Sequence, residues 1–243
     1  MEIGAHEASM ARPSTPIGSS ALVVFDLTPV RPVAAAFRTR RSTFRAFARN
    51  DRTVDLTSAQ LDLIRGLMNL DPPVFLFGGY AEDALLHGTV ARPHDDVDVF
   101  VWFDELQVRM QQVRALGFDA IESRFEPSPG RPLVVGAARG DLQLELCVGA
   151  RSDGRAYFEL PGNGGLDRVW LPDDFVNYPA QRLDDLVVNT ISPLALYQVR
   201  MALAAVFGGF RPKDELSQAA LRDRFFAETS DADLAPAITR ARA

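Results

Sequence analysis

The chain contains one cysteine, Cys147, among 243 residues, which excludes an internal disulfide and predicts a reducing compartment. Lysine is almost as scarce. Of the 26 lysines and arginines only Lys213 is a lysine, and a compact point charge kept in so arginine-rich a chain marks a place where a planar fork would serve less well. No stretch approaches the roughly 18 consecutive apolar residues of a membrane span. No apolar run follows a charged N-terminus, so neither a membrane partner nor a secretory signal is expected, and a cytoplasmic location is. With 47% hydrophobic and 24% charged residues, the composition is that of an ordinary soluble globular protein.

The net charge of -6 is unevenly spread. Residues 1–52 carry eight arginines against Glu2, Glu7, Asp26 and Asp51, a balance of +4, which leaves -10 for the remainder. An acidic body disfavours broad nucleic-acid binding, which depends on neutralising phosphates, and suits a cationic small molecule better.

This length suits one catalytic domain with an appendage. Residues 1–52 read as a basic N-terminal arm, partly disordered, residues 53–150 as the core, and residues 151–243 as a loop-rich and helical C-terminal region. Within the arm, 'ALVVFDL' (21–27) predicts a short strand, and the arginine-rich run after Pro32 predicts a helix, with Phe37, Phe44 and Phe47 on one face. That helix either docks on the main domain or serves as a nucleic-acid or membrane-surface arm. In the core, 'DLTSAQLDLIRGLMNL' predicts a helix capped by Thr57 or Ser58. A strand over Val74–Phe77 breaks at Gly78-Gly79, and a short helix closes at Gly88. 'DVDVFVWF', a helix over Glu105–Gly117, 'PLVVGAA' and 'GDLQLELCVGA' follow, then a loop-rich stretch to about Asp174 and two helices. The order implies a mixed sheet with helices packed against it, an α/β (α+β) fold.

Strand parity isolates the chemistry. Side chains alternate faces along a strand, so Asp96 and Asp98 share one face while Val97, Val99 and Val101 point into the core. Adjacent carboxylates repel unless a positive group lies between them, and hard oxygen ligands suit Mg²⁺. The strand 'DLQLELCV' repeats the device, with Leu142, Leu144, Leu146 and Val148 inward and Asp141, Gln143, Glu145 and Cys147 opposite. If it lies beside the first strand, Glu145 becomes a third carboxylate, a set able to hold two metal ions for phosphoryl or nucleotidyl transfer. Otherwise Glu145 is an exposed strand residue. A strand ending in Gly78-Gly79 and opening into a helix offers backbone N–H groups to an anion, although Gly-Gly alone is also a plain tight turn.

The stretch 'GGYAEDALLHGTVARPHDDVDV' resembles the signature of the polymerase-beta-type nucleotidyltransferase superfamily, and in detail the antibiotic nucleotidyltransferases acting on aminoglycosides and lincosamides. The later 'NTISPLALYQVRMA' and 'GGFRPKDELSQAAL' resemble the helical tail of related enzymes, with Ser217 where such tails often have another Asp. The resemblance implies a mixed-sheet nucleotidyltransferase core flanked by helices, with a C-terminal helical region. It implies Asp96 and Asp98 as metal ligands and Gly78-Gly79 as the triphosphate turn. Glu145 matches a metal ligand or the general base for an acceptor hydroxyl. Arg92 and His94 match phosphate contacts or supports for the aspartates, and Lys213 matches a phosphate contact. Asp83 matches an acceptor contact, with an ordinary exposed helix residue as the alternative.

The expected activity is therefore Mg²⁺-dependent transfer of a nucleoside monophosphate from a triphosphate such as ATP to a hydroxyl. The expected acceptor is a small cationic antibiotic-like molecule, and the implied role is antibiotic resistance. The alternatives are a toxin-type enzyme acting on tRNA or protein, and a non-catalytic nucleotide-binding module.

Overall fold

A computed structural model of the protein describes residues 56–240 other than Ser128, Asn163 and Gly164. The arm of residues 1–52, with its expected strand and arginine-rich helix, lies outside the described residues. In chain order the elements are α1 (Leu56–Met68), β1 (Phe75–Leu76), α2 (Gly78–Leu86), β2 (Val97–Trp102), α3 (Leu106–Ala115), β3 (Ala120–Phe125), β4 (Val134–Arg139) and β5 (Leu142–Ser152). They continue as β6 (Arg155–Gly162), β7 (Gly165–Trp170), β8 (Gln181–Leu183), β9 (Leu186–Val188), α4 (Pro193–Phe207), α5 (Pro212–Phe225), α6 (Asp231–Leu234) and β10 (Ala237–Arg240). The architecture is mixed α/β, as expected.

The central strands meet the condition on which Glu145 joins the two aspartates. β2 pairs in parallel with β5, and β1 pairs antiparallel with β2. On the other side of β5 lie β4 and then β3, both antiparallel. Val97, Val99, Leu144 and Leu146 are at most 1% exposed, so the inward faces of β2 and β5 form one continuous core. α1 supplies Leu63, Ile64 and Leu67 to that core from one helical face.

Four expectations change. α1 begins at Leu56, so Thr57 and Ser58 lie in its first turn instead of capping it. The Val74–Phe77 strand shrinks to Phe75–Leu76, and α2 starts at the Gly-Gly pair itself. β3 forms a largely exposed edge strand whose charges hide any apolar alternation. The stretch expected to be loop-rich contains β6 and β7, an antiparallel pair that extends the sheet from the far end of β5. Asp153-Gly154, both at positive φ, form the two-residue turn that starts it, a conformation matched to strand twist.

This extension buries the downstream half of the site face. Phe100 on β2 meets Trp102, Phe158 and Phe175 edge to face, with ring centroids 4.6–5.7 Å apart, and is 1% exposed. Gly149 on β5 has no room for a Cβ beside the Phe100 ring. The face that carries Asp98 is thus open only at its acidic end, where the strand reading would have left it solvent-exposed throughout.

Candidate active site

β2 and β5 pair so that Asp98 stands directly opposite Glu145. Asp96, just ahead of β2, completes the cluster, and one carboxylate oxygen from each residue lies within 4.8 Å of the others. All three residues are half-buried. Burial first, then the charges of Asp96 and Glu145, push the Asp98 carboxyl well above the ordinary carboxylate range, against the opposing pull of Arg200 and Arg211. Although part of Asp98 reaches solvent, its carboxyl is packed against the turn that opens α2. Gly78 holds φ at 58°, and a Cβ there would fall on Asp98 Oδ2 and within 2.8 Å of its Cγ. Only glycine permits that approach.

The chain is tied across this junction by Phe77 N–H donating to the Asp98 carbonyl at 2.9 Å. No side chain caps α2, so the amides of its first turn have no capping competitor for an anion.

His94 lies beneath the same turn, 6% exposed. A Cβ on Gly79 would collide with its imidazole at Nδ1 and Cε1, and Arg92 Nη2 is 3.2 Å from the same point. On the other ring nitrogen, Nε2–H donates to Asp83 Oδ2 at 2.7 Å, and the same oxygen accepts Ala91 N–H at 2.9 Å. Gln60 Nε2 donates to the His94 carbonyl (3.0 Å) and its Oε1 accepts from Tyr80 Oη (2.7 Å). The Tyr80 and His94 rings lie 4.2 Å apart. This buried network fastens the segment leading into Asp96 to the first turns of α2.

Asp83 is therefore a correction. It is 2% exposed, so an acceptor cannot reach it, and its carboxylate is spent on His94 and Ala91. His94 is equally enclosed, which fits the supporting role among the two the sequence left open.

Cations also converge on the cluster. Arg200 is the lone charged residue of α4, and Arg211 immediately precedes α5. Both act electrostatically on Asp98, and Asp96 and Asp98 in turn help to hold the proton on Arg211. Arg211 donates to Asp214 through Nε and Nη2, and that bonding does most to raise the Arg211 pKa. Burial alone would raise the Asp214 carboxyl, but the Arg211 bond and charge outweigh it and hold the group below its ordinary value. Arg200 Nη2 donates to Glu82 Oε2 at 2.8 Å, while its buried Nη1 has no hydrogen-bond partner among the described residues. Arg92 stands 3.8 Å from the same Glu82 oxygen. Lys213 is exposed, and the interaction found for its charge is with Asp214. Sequence reasoning singled out Lys213 and passed over Arg200, whose signal was its standing as the single charge in α4.

Cys147 shares the site face and is 8% exposed; burial, then Asp98, Glu145 and Asp96, push its thiol well above the usual value. It is an inert neutral floor. Among the described residues, no helix is long and apolar enough to cross a membrane.

The mixed sheet, with its carboxylate cluster at the mouth of two parallel strands and a Gly-Gly helix start abutting it, shares its fold with solved nucleotidyltransferases. The solved structures to which the chain is similar include two of ANT(2″)-Ia, an aminoglycoside nucleotidyltransferase. One, in complex with adenylyl-2″-tobramycin, matches at 18% identity over 72% of this chain and 91% of that chain, with a TM-score of 0.55. The other, a solution structure of that antibiotic-resistance factor, matches at 20% identity over 70% of this chain and 86% of that chain, with a TM-score of 0.54. No protein-family model matches the sequence, and no curated protein does.

Proposed function

We propose that this protein is a divalent-metal-dependent nucleotidyltransferase that moves a nucleoside monophosphate from a nucleoside triphosphate to a hydroxyl of a small cationic, antibiotic-like acceptor. The observation that carries this reading is the meeting of Asp96, Asp98 and Glu145 against the uncapped start of α2. The donor set fits Mg²⁺, since it is all oxygen and compact, and the pull of Arg200 and Arg211 only partly offsets burial and like-charge repulsion at Asp98. An ion held by these carboxylates would neutralise them and withdraw charge from the phosphate oxygens.

The remaining work falls to the chain. Amides of the Gly78-Gly79 turn donate to phosphate oxygens. Arg92, Arg200 and Arg211 supply cations to the triphosphate, with Lys213 as a further contact from the start of α5. The site carboxylates, Glu145 first among them, take the acceptor hydroxyl proton. The acceptor oxygen then bonds to the α-phosphorus as the bond to pyrophosphate breaks. His94 and Asp83 keep the turn and the aspartates in register throughout.

Two facts support a cationic acceptor: the -10 balance outside residues 1–52, and the likeness in fold to an enzyme solved with an adenylylated aminoglycoside. The eight arginines of residues 1–52 favour a second reading, with RNA as acceptor. Incubating the full chain with labelled ATP, GTP and CTP, Mg²⁺ and either an antibiotic panel or total tRNA separates the two. Label on an aminoglycoside or lincosamide, abolished by EDTA, is expected. Label on RNA alone would overturn the small-molecule acceptor, and no label on either would overturn the transfer reading.

A further inference from the structure

Glu145 does not stand alone on its strand. Arg124, on β3, reaches it across the whole width of β4, and three features of the backbone make that reach possible. First, the β3–β4 register shifts between Ser123 and Phe125, so Arg124 is itself the extra residue of a β-bulge, a device that re-aims a side chain. Second, the strand crossed has Gly136 at the crossing point. Gly136 pairs with Glu122 on one side and with Glu145 on the other, and a Cβ on it would lie 2.0 Å from the Arg124 Nε and 2.6 Å from its Cδ. Third, the guanidinium arrives as a fork. Nη1 bonds Glu145 Oε1 and Nη2 donates to Gln143 Oε1 at 2.8 Å, so it grips two side chains on the same face of β5.

We propose that Arg124 is a positioning residue of the acidic site, holding the Glu145 carboxylate beside Asp98 through a two-armed grip that the Arg124 bulge and the Gly136 gap are built to admit. This rests on the reading of Asp96, Asp98 and Glu145 as a cation site. A glutamate at the open end of a strand has three side-chain torsions to fix, and without an outer partner its carboxylate is spread over several rotamers. Partners of this kind typically contribute about 10-fold to 100-fold to metal affinity or rate. An ion pair that is still partly open to solvent contributes little to folding, so stability and site function separate. Arg124 and Glu145 are 25% and 23% exposed, and the pair can be altered without opening the core.

The test uses full-length protein and Mn²⁺ as the probe, with bound ion read by electron paramagnetic resonance and transfer measured in parallel. Arg124→Met is expected to weaken Mn²⁺ binding by about 10-fold or more and to lower kcat with the triphosphate KM little changed. Arg124→Lys keeps the charge but not the fork, so it is expected to fall with Arg124→Met. Gly136→Ala keeps the arginine but fills its path, and is expected to show the same loss, with no further loss when the two are combined. Wild-type behaviour in Arg124→Lys would mean that charge alone matters and would overturn the proposal. Unchanged or tighter Mn²⁺ binding in Arg124→Met would do the same. If Glu145→Gln binds Mn²⁺ as the wild type does, Arg124 has no ligand to position and the proposal falls while the Asp96 and Asp98 site stands. A wild-type protein that binds no Mn²⁺ would overturn the cation site and the proposal together.

Discussion

Asp98 on β2 and Glu145 on β5 occupy the same rung of a parallel ladder, although a helix and two strands separate them in the chain. Parallel neighbours need a long crossover connection, so this adjacency is a product of topology and of nothing local. It brings two carboxylates together with Asp96, and the consequences can be measured.

Asp98→Asn should lower transfer by about a thousandfold or more, since a carboxylate that binds a cation at the reacting phosphate contributes several kcal/mol to the barrier. The same change should raise the melting temperature of the metal-free protein, equivalent to about 1 kcal/mol, because it removes a buried charge from beside two like charges. Steady-state kinetics and thermal melts in EDTA check both. A lower melting temperature would mean that the carboxylate is structural.

The metal-free protein should lose stability as pH rises out of the ordinary carboxylate range. The Asp98 pKa is raised in the folded state, so between its unfolded and folded values the native form binds more protons and the slope of stability against pH is negative. The contribution is fully present below the unfolded value and lost through the raised one. Added Mg²⁺ should therefore raise the melting temperature more at neutral pH than at pH 4. Melts with EDTA and with Mg²⁺ across that range read it directly, and an equal increment at both pH values would count against the site.

Arg211→Ala should raise the triphosphate KM by about 10-fold, the loss of one charge-assisted contact, with little change in melting temperature because the residue is exposed. Lys213→Ala tests the other candidate in the same assay. A comparable rise in KM would make Lys213 a phosphate contact, and unaltered kinetics would make it an ordinary helix-start residue.

Gly79→Ala should destabilise the protein by about 1–3 kcal/mol, because the added methyl meets the enclosed imidazole of His94 and not a mobile side chain. Asp83→Ala should cost a similar amount, about 1–3 kcal/mol, by leaving His94 Nε2 and Ala91 N–H without their acceptor. Denaturant titration gives both numbers. Normal stability in either variant would show that the network beneath the turn can relax.

Much of the site was legible because its signals are short-range. The alternation in 'DVDVFVWF' and 'DLQLELCV' assigned the core faces of β2 and β5 correctly, and the valines and leucines so assigned are buried. The Gly-Gly break marked the start of α2 within a residue or two. β3, β6 and β7 were harder. Charges on an edge strand, and the glycines and prolines flanking β6 and β7, mask a periodicity of two.

The sequence by itself determined which side chains share a strand face and where a Gly-Gly pair breaks the chain before α2, since both follow from local backbone preferences. Tertiary structure alone decided that β5 lies beside β2 in the register that faces Glu145 to Asp98, that Asp83 turns inward onto His94, that Arg124 reaches Glu145, and that the charges of Arg200 and Arg211 bear on Asp98. Those contacts join residues distant in the chain. Pairing, register and burial are set by how whole faces of apolar surface fit together, which no local pattern encodes.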